Sequence, residues 1–117
     1  MKIVIVGAGE VGSHLAKLLS SEGQDVILVD SDESKLNDFE MYNLMTYTGK
    51  PTSFASLKEA GAGKCDLFIA VTPYETRNLL ACSIAKNLGA KSAVARIDNY
   101  EYMKEPARQF FINMGVD

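Results

Sequence analysis

The chain has 117 residues, 47% hydrophobic and 23% charged, with a net charge of −3. That length supports one domain with its own hydrophobic core and leaves no room for a dinucleotide domain joined to a separate substrate domain. The slightly acidic balance offers no electrostatic footprint for nucleic acid or an anionic membrane surface, and the apolar runs fall well short of the ~20 residues a membrane-spanning helix needs.

Met1 leads directly into the apolar run Lys2–Val6 with no signal-peptide layout, which predicts a cytoplasmic protein. This first predicted strand runs into GAGEVG and then a helix over Glu10–Ser21. Its apolar Val11, Leu15, Leu18 and Leu19 form one stripe expected to pack on a sheet, and His14 borders it in a packing or surface role. A second strand, Asp25–Val29, leads to Asp30 and a helix over Glu33–Met41, for which Ser31 or Asp32 is an adequate cap. Strands at Leu44–Thr48, Asp66–Val71 and Ser92–Arg96 then alternate with helices at Ser53–Ala60, Glu75–Leu88 and Tyr100–Met114, the last split by Pro106.

Near-continuous apolar strands suit a sheet covered on both faces. Parallel strands need crossovers, and right-handed crossovers dominate. The alternation therefore predicts an α/β fold: a Rossmann-like doubly wound parallel sheet, strand order 3-2-1-4-5, in a three-layer αβα sandwich. The helix containing LLACSIAKNL is apolar around most of its circumference, which predicts burial on two sides. A subunit contact is one candidate for the second side. The segment with Tyr100, Tyr102, Phe110 and Phe111 is expected to complete it, giving a homo-oligomer through the helices after strands 4 and 5. Cys65 and Cys82 lack metal spacing and read as reduced core filler.

A ligand of such a sheet sits at the carboxyl ends of strands 1 and 4. Gly7 can make the tight turn off the strand, Gly9 can admit phosphates to bare backbone, and Gly12 can let the helix pack closely. The helix N-terminus, with Ala8, Glu10 and Val11 beside the glycines, offers amide hydrogens to a pyrophosphate. Asp30 stands 18 residues after Gly12, where a carboxylate accepts hydrogen bonds from an adenine-side ribose and repels a 2′-phosphate; this favours NAD over NADP. Glu10, close to the phosphates, disfavours a triphosphate, though an acid is also simply favourable in a helix's first turn. On the far lip, Thr72 can hydrogen-bond the pyrophosphate or second ribose, or act as a helix cap. Pro73 shapes that loop. Arg96 can meet a phosphate, cross a subunit boundary, or form a surface ion pair.

Together GAGEVG, VILVD, LKEAGAGKCDLFIAVT, ETRNLLACSIAKNLGA, AVARI and MGVD resemble the TrkA-type RCK nucleotide-binding domain over nearly the whole chain. By position, the resemblance implies nucleotide contacts at Gly7, Ala8, Gly9, Glu10, Val11 and Gly12, at Asp30 with Ser31, at Gly49, Lys50 and Pro51 after the third strand, at Thr72 with Pro73, and at Arg96. Lys50 stands where the family often has an acid, and Glu10 where many members carry arginine. The resemblance implies a cytoplasmic regulator, peripheral to the inner face of the plasma membrane, that binds NAD(H), with ATP or ADP as the lesser candidates. Its partner would be a membrane potassium transporter subunit. It also implies that residues 1–117 are an NAD-binding N-terminal domain of a longer chain. The rival is a dinucleotide-binding fragment of an NAD-dependent dehydrogenase. Against it, no Cys, His or Lys here is paired with an orienting group for hydride chemistry.

Overall fold

The computed structural model describes residues 1–117. Strands β1 (Lys2–Val6), β2 (Asp25–Asp30), β3 (Met45–Thr48), β4 (Leu67–Ala70) and β5 (Ser92–Ala95) pair in parallel in the order β3-β2-β1-β4-β5. The expected topology is therefore the observed one. Helices α1 (Glu10–Ser21), α2 (Phe54–Glu59) and α3 (Glu75–Leu88) lie between strands and α4 (Ala107–Asn113) follows β5, with 3₁₀ turns at Glu33–Phe39, Ala62–Lys64 and Tyr100–Met103.

Because side chains alternate along each strand, the sheet carries two cores. On one face Ile3, Ile5, Val26 and Leu28 pack with Ala16 of α1 and with Leu36 and Phe39 of the first 3₁₀ turn. On the other, Val4, Val6, Val29 and Phe68 pack with Leu57 of α2 and Leu79, Cys82 and Ala85 of α3. Coverage of the first face fades along one row of register partners: Leu28 and Ile5 are fully buried, Ile69 is half-buried, and Val94 is 44% exposed. The sheet is therefore not closed on both faces at β5.

Several local expectations are corrected. The stripe of α1 on the sheet is Gly12, Ala16 and Ser20 flanked by half-buried Leu15 and Leu19, whereas Val11 and Leu18 are 42% and 45% exposed. Small residues let the helix axis approach the strands, and that rotates the larger apolar side chains outward. The segment after β2 forms 3₁₀ turns over Glu33–Phe39 rather than an α-helix, capped by Asp32, whose carboxylate accepts the Ser34 amide hydrogen. The short turn Ala62–Lys64 was not expected; it starts after Gly61, whose φ is +92°.

The last segment does divide at Pro106, into the 3₁₀ turn and α4. Tyr102 and Phe111 are half-buried and meet edge to face at 4.9 Å, while Tyr100 and Phe110 point largely to solvent. Both cysteines are buried, and burial pushes the Cys65 thiol up to about 11 and the Cys82 thiol up to about 12. His14 is exposed on α1.

Candidate functional site

The turn from β1 to α1 is built around three glycines that do three different jobs. Gly7 adopts φ +108°, and a Cβ there would lie 3.0 Å from the Thr72 amide nitrogen, so the turn seats against the end of β4. At Gly12 a Cβ would fall 1.6 Å from the Gly7 carbonyl oxygen; helix and turn are in backbone contact there. Gly9 is different. Apart from its chain neighbours, nothing in the protein lies within 4 Å of the position its Cβ would take, so the glycine keeps open a space that the fold itself does not fill. Gly9 is also the N-cap of α1, with no side-chain cap, and Glu10 and Val11 follow it exposed in the first turn. The first amides of a helix have no intrahelical acceptor, which makes this opening electropositive.

Asp30 faces that turn from the end of β2. Its Oδ2 accepts the Ala8 amide hydrogen at 2.8 Å and its Oδ1 accepts the Asp32 amide hydrogen at 2.8 Å. One carboxylate therefore ties the glycine turn to the loop after β2. Each oxygen retains acceptor capacity, so the group remains able to receive a hydroxyl. The Ala8 amide, by contrast, is already engaged inside the protein.

Five of the expected residues, Asp30, Ser31, Pro51, Thr72 and Pro73, line a single cavity between the ends of β2 and β4. Lys35, Tyr74 and Arg77 line it too, and the sequence reading did not single them out. The guanidinium of Arg77 stacks over the Tyr74 ring at 4.2 Å, a cation–π contact that stiffens that wall. Gly49 supports the floor: its amide donates to the Asp30 carbonyl at 3.0 Å, and a Cβ would lie 2.6 Å from the Tyr47 ring. Lys50 is exposed beside it.

The far lip is organised by a residue that sequence reasoning missed. Asn78, 1% exposed in α3, accepts from the Thr72 amide (2.9 Å) and hydroxyl (2.6 Å) and donates to the carbonyls of Thr72 (3.0 Å) and Arg96 (3.1 Å). The signal available in the sequence was weak, an amide between Arg77 and the apolar stretch that starts at Leu79, and only its burial in the fold obliges it to find partners. Glu75 acts alongside: its Oε2 accepts the amide hydrogens of Asp98 at 2.8 Å and Asn99 at 2.7 Å. Thr72 is not the cap of α3; the N-cap position belongs to Tyr74. Arg96 follows β5 on the same edge of the sheet but does not line the cavity. Its Nε lies 3.7 Å from Asp98 Oδ1, an exposed pair of the kind worth little.

The TrkA-N domain family model matches residues 3–117. The chain belongs to the TrkA-N family. It is 40% identical over 112 residues to the Trk system potassium uptake protein TrkA of Haemophilus influenzae, covering 94% of this chain and 24% of that protein. This TrkA-N chain thus spans about a quarter of that curated relative. Among solved structures, the TrkA-N domain of the inner membrane protein ybaL from Escherichia coli superposes with a TM-score of 0.84 at 14% identity, covering 99% of this chain and 83% of that one. The GsuK channel bound to NAD superposes with a TM-score of 0.78 at 16% identity, covering 98% of this chain and 20% of that one. At such identities these structures establish the fold.

Proposed function

We propose that this TrkA-N domain is the nucleotide-binding part of a cytoplasmic regulator of potassium uptake and that its ligand is NAD or NADH. The observation that carries the reading is the junction of Asp30 with the glycine turn. A ribose acceptor is hydrogen-bonded to the very turn whose open side, at Gly9, faces the N-terminus of α1. Pyrophosphate on that turn and adenosine in the cavity beyond Asp30 account for the two features together. Glu10, exposed in the first turn, opposes a terminal triphosphate and so ranks ATP below the dinucleotide. GsuK has been solved with NAD and with ADP, so both ligands belong in the comparison.

Regulation would follow from differential affinity. A nucleotide that fits one arrangement of packed domains better shifts the population toward it, by no more than that difference in binding free energy. No bond is made or broken in this scheme, and no side chain of the cavity is paired for hydride transfer. Relatives named as potassium uptake proteins of the Trk system support a membrane potassium transporter as the partner. No helix here is long and apolar enough to cross a membrane. As a regulator of such a transporter, the domain would act from the cytoplasmic face, as a piece of a longer chain. Homo-oligomer contacts would run through α3 and α4, where Leu80 and Phe110 are 47% and 60% exposed.

Thermal-shift titration with NADH, NAD, ATP and ADP tests the reading, because a ligand that binds only the folded state raises its stability once its concentration exceeds its dissociation constant. The dinucleotides are expected to give the larger shift. No shift with either of them would remove NAD from the proposal, and steady oxidation of NADH by added acceptors would replace the regulator with an enzyme.

A further inference from the structure

We infer that the Thr72 hydroxyl is locked as a hydrogen-bond acceptor, so that the ligand group it meets is a donor, a hydroxyl or amino group of the adenosine, and not a phosphate oxygen. The inference rests on the nucleotide reading above and narrows it. Backbone groups of fixed polarity dictate the orientation of the Asn78 side chain. The Thr72 amide can only donate, so the atom 2.9 Å from it must be Asn78 Oδ1. The carbonyls of Thr72 and Arg96 can only accept, so the atom 3.0 Å and 3.1 Å from them must be Asn78 Nδ2. Flipping the amide would set donor against donor once and acceptor against acceptor twice.

With Oδ1 so assigned, its 2.6 Å contact to Thr72 Oγ1 pairs an acceptor with a hydroxyl, and the hydroxyl must supply the proton. The alternative acceptor, the Tyr74 carbonyl, lies at 3.3 Å. Sending the proton there would leave two oxygens 2.6 Å apart with none between them. Thr72 Oγ1 therefore shows lone pairs to its surroundings. One already receives the Tyr74 amide, weakly, at 3.3 Å. A phosphate oxygen placed against the other would be repelled. A ribose hydroxyl or an adenine amino group would be bound. Thr72 lines the same cavity as Asp30, the other acceptor there, so two acceptors converge on one nucleoside while the open amide donors lie in the first turn of α1, after Gly9.

The test titrates wild type, Thr72→Val and Thr72→Ser with NADH, with its hypoxanthine analogue, and with analogues lacking the 2′- or the 3′-hydroxyl of the adenine ribose. Thr72→Val is expected to weaken NADH about three- to tenfold, the worth of one ordinary hydrogen bond, and Thr72→Ser to restore it. The Val penalty should vanish for one analogue: the hypoxanthine form if the donor is the amino group, a deoxy form if it is the sugar. No penalty, or the same penalty for NADH and every analogue, overturns the inference while leaving the NAD reading intact. The direction of the bond is also read without ligand, as a slowly exchanging Thr72 hydroxyl proton in NMR spectra, absent in Thr72→Val. If that proton exchanges too fast to detect, the inference falls. Its presence in a protein that fails to bind NADH would instead sink the NAD reading.

Discussion

The carboxylate of Asp30 accepts the amide hydrogen of Ala8 at 2.8 Å, joining the end of β2 to the turn that follows β1. The acid is thus both the ribose acceptor of the proposed site and a strut of the glycine turn. Its second oxygen serves the Asp32 amide at the same distance. Asp30→Asn removes the charge and turns one amino group toward a backbone N–H. NADH affinity is expected to fall by about 1.5–3 kcal/mol, the range for hydrogen bonds to charged groups. Unchanged affinity in the same titration would locate the ribose elsewhere.

Gly9 and Gly12 should separate binding from folding. A Cβ at Gly9 has open space beyond its chain neighbours, so Gly9→Val is expected to change the denaturation midpoint little and to abolish dinucleotide binding by filling the opening. Gly12→Ala drives its methyl into the Gly7 carbonyl and is expected to cost about 1–3 kcal/mol of stability or more, as over-packing does. Urea unfolding of the two variants, set beside their NADH titrations, checks the contrast.

Asn78→Ala removes the single side chain that joins the ends of β4 and β5. It strands the amide and carbonyl of Thr72, whose bonds to Asn78 are buried, at about 1–3 kcal/mol each, and frees the carbonyl of Arg96, whose bond is only partly buried. The expected result is a lower urea midpoint with an unaltered slope. A variant as stable as wild type would mean that water replaces the amide.

Asp117 is held low by the Lys86 ammonium at 2.9 Å and by the Ala93 amide at 2.8 Å. Its carboxyl is depressed in the folded state from 3.8, so the stability it contributes is present above about pH 4 and is lost as the pH falls further, through its folded value. Asp117→Asn is expected to lower stability at neutral pH and to flatten its decline between pH 4 and pH 2, followed by urea midpoints across that range.

The thiols behave in the opposite sense. Burial raises Cys65 to about 11 and Cys82 to about 12, against 9 for the free group. Stability associated with keeping them neutral is present below pH 9 and is lost as the pH climbs toward those folded values. At pH 8 both should react with a thiol reagent only after urea is added. Rapid native-state labelling would show that α3 opens on its own.

Much of this domain is written in local pattern. The spacing of GAGEVG after an apolar run, an acid at the end of the next strand, and the steady alternation of element types determine the strand order, the direction of the strands and the edge proposed to carry the ligand, because period and crossover handedness admit few other arrangements. Asp30, Ser31, Pro51, Thr72 and Pro73, a part of the expected set, line one cavity for that reason, whereas the glycine turn, Lys50 and Arg96 do not line it. What the chain alone could not decide are contacts between residues distant in sequence. That α1 turns Gly12 and Ala16 inward and leaves Val11 and Leu18 outside depends on how near the helix can come to the sheet. That Asp30 engages the Ala8 amide, and that Thr72 gives its proton to Asn78, depends on three strand ends meeting in space. Hydrogen bonds are directional and short, so only the tertiary structure assigns each donor its acceptor and leaves the remainder for a ligand.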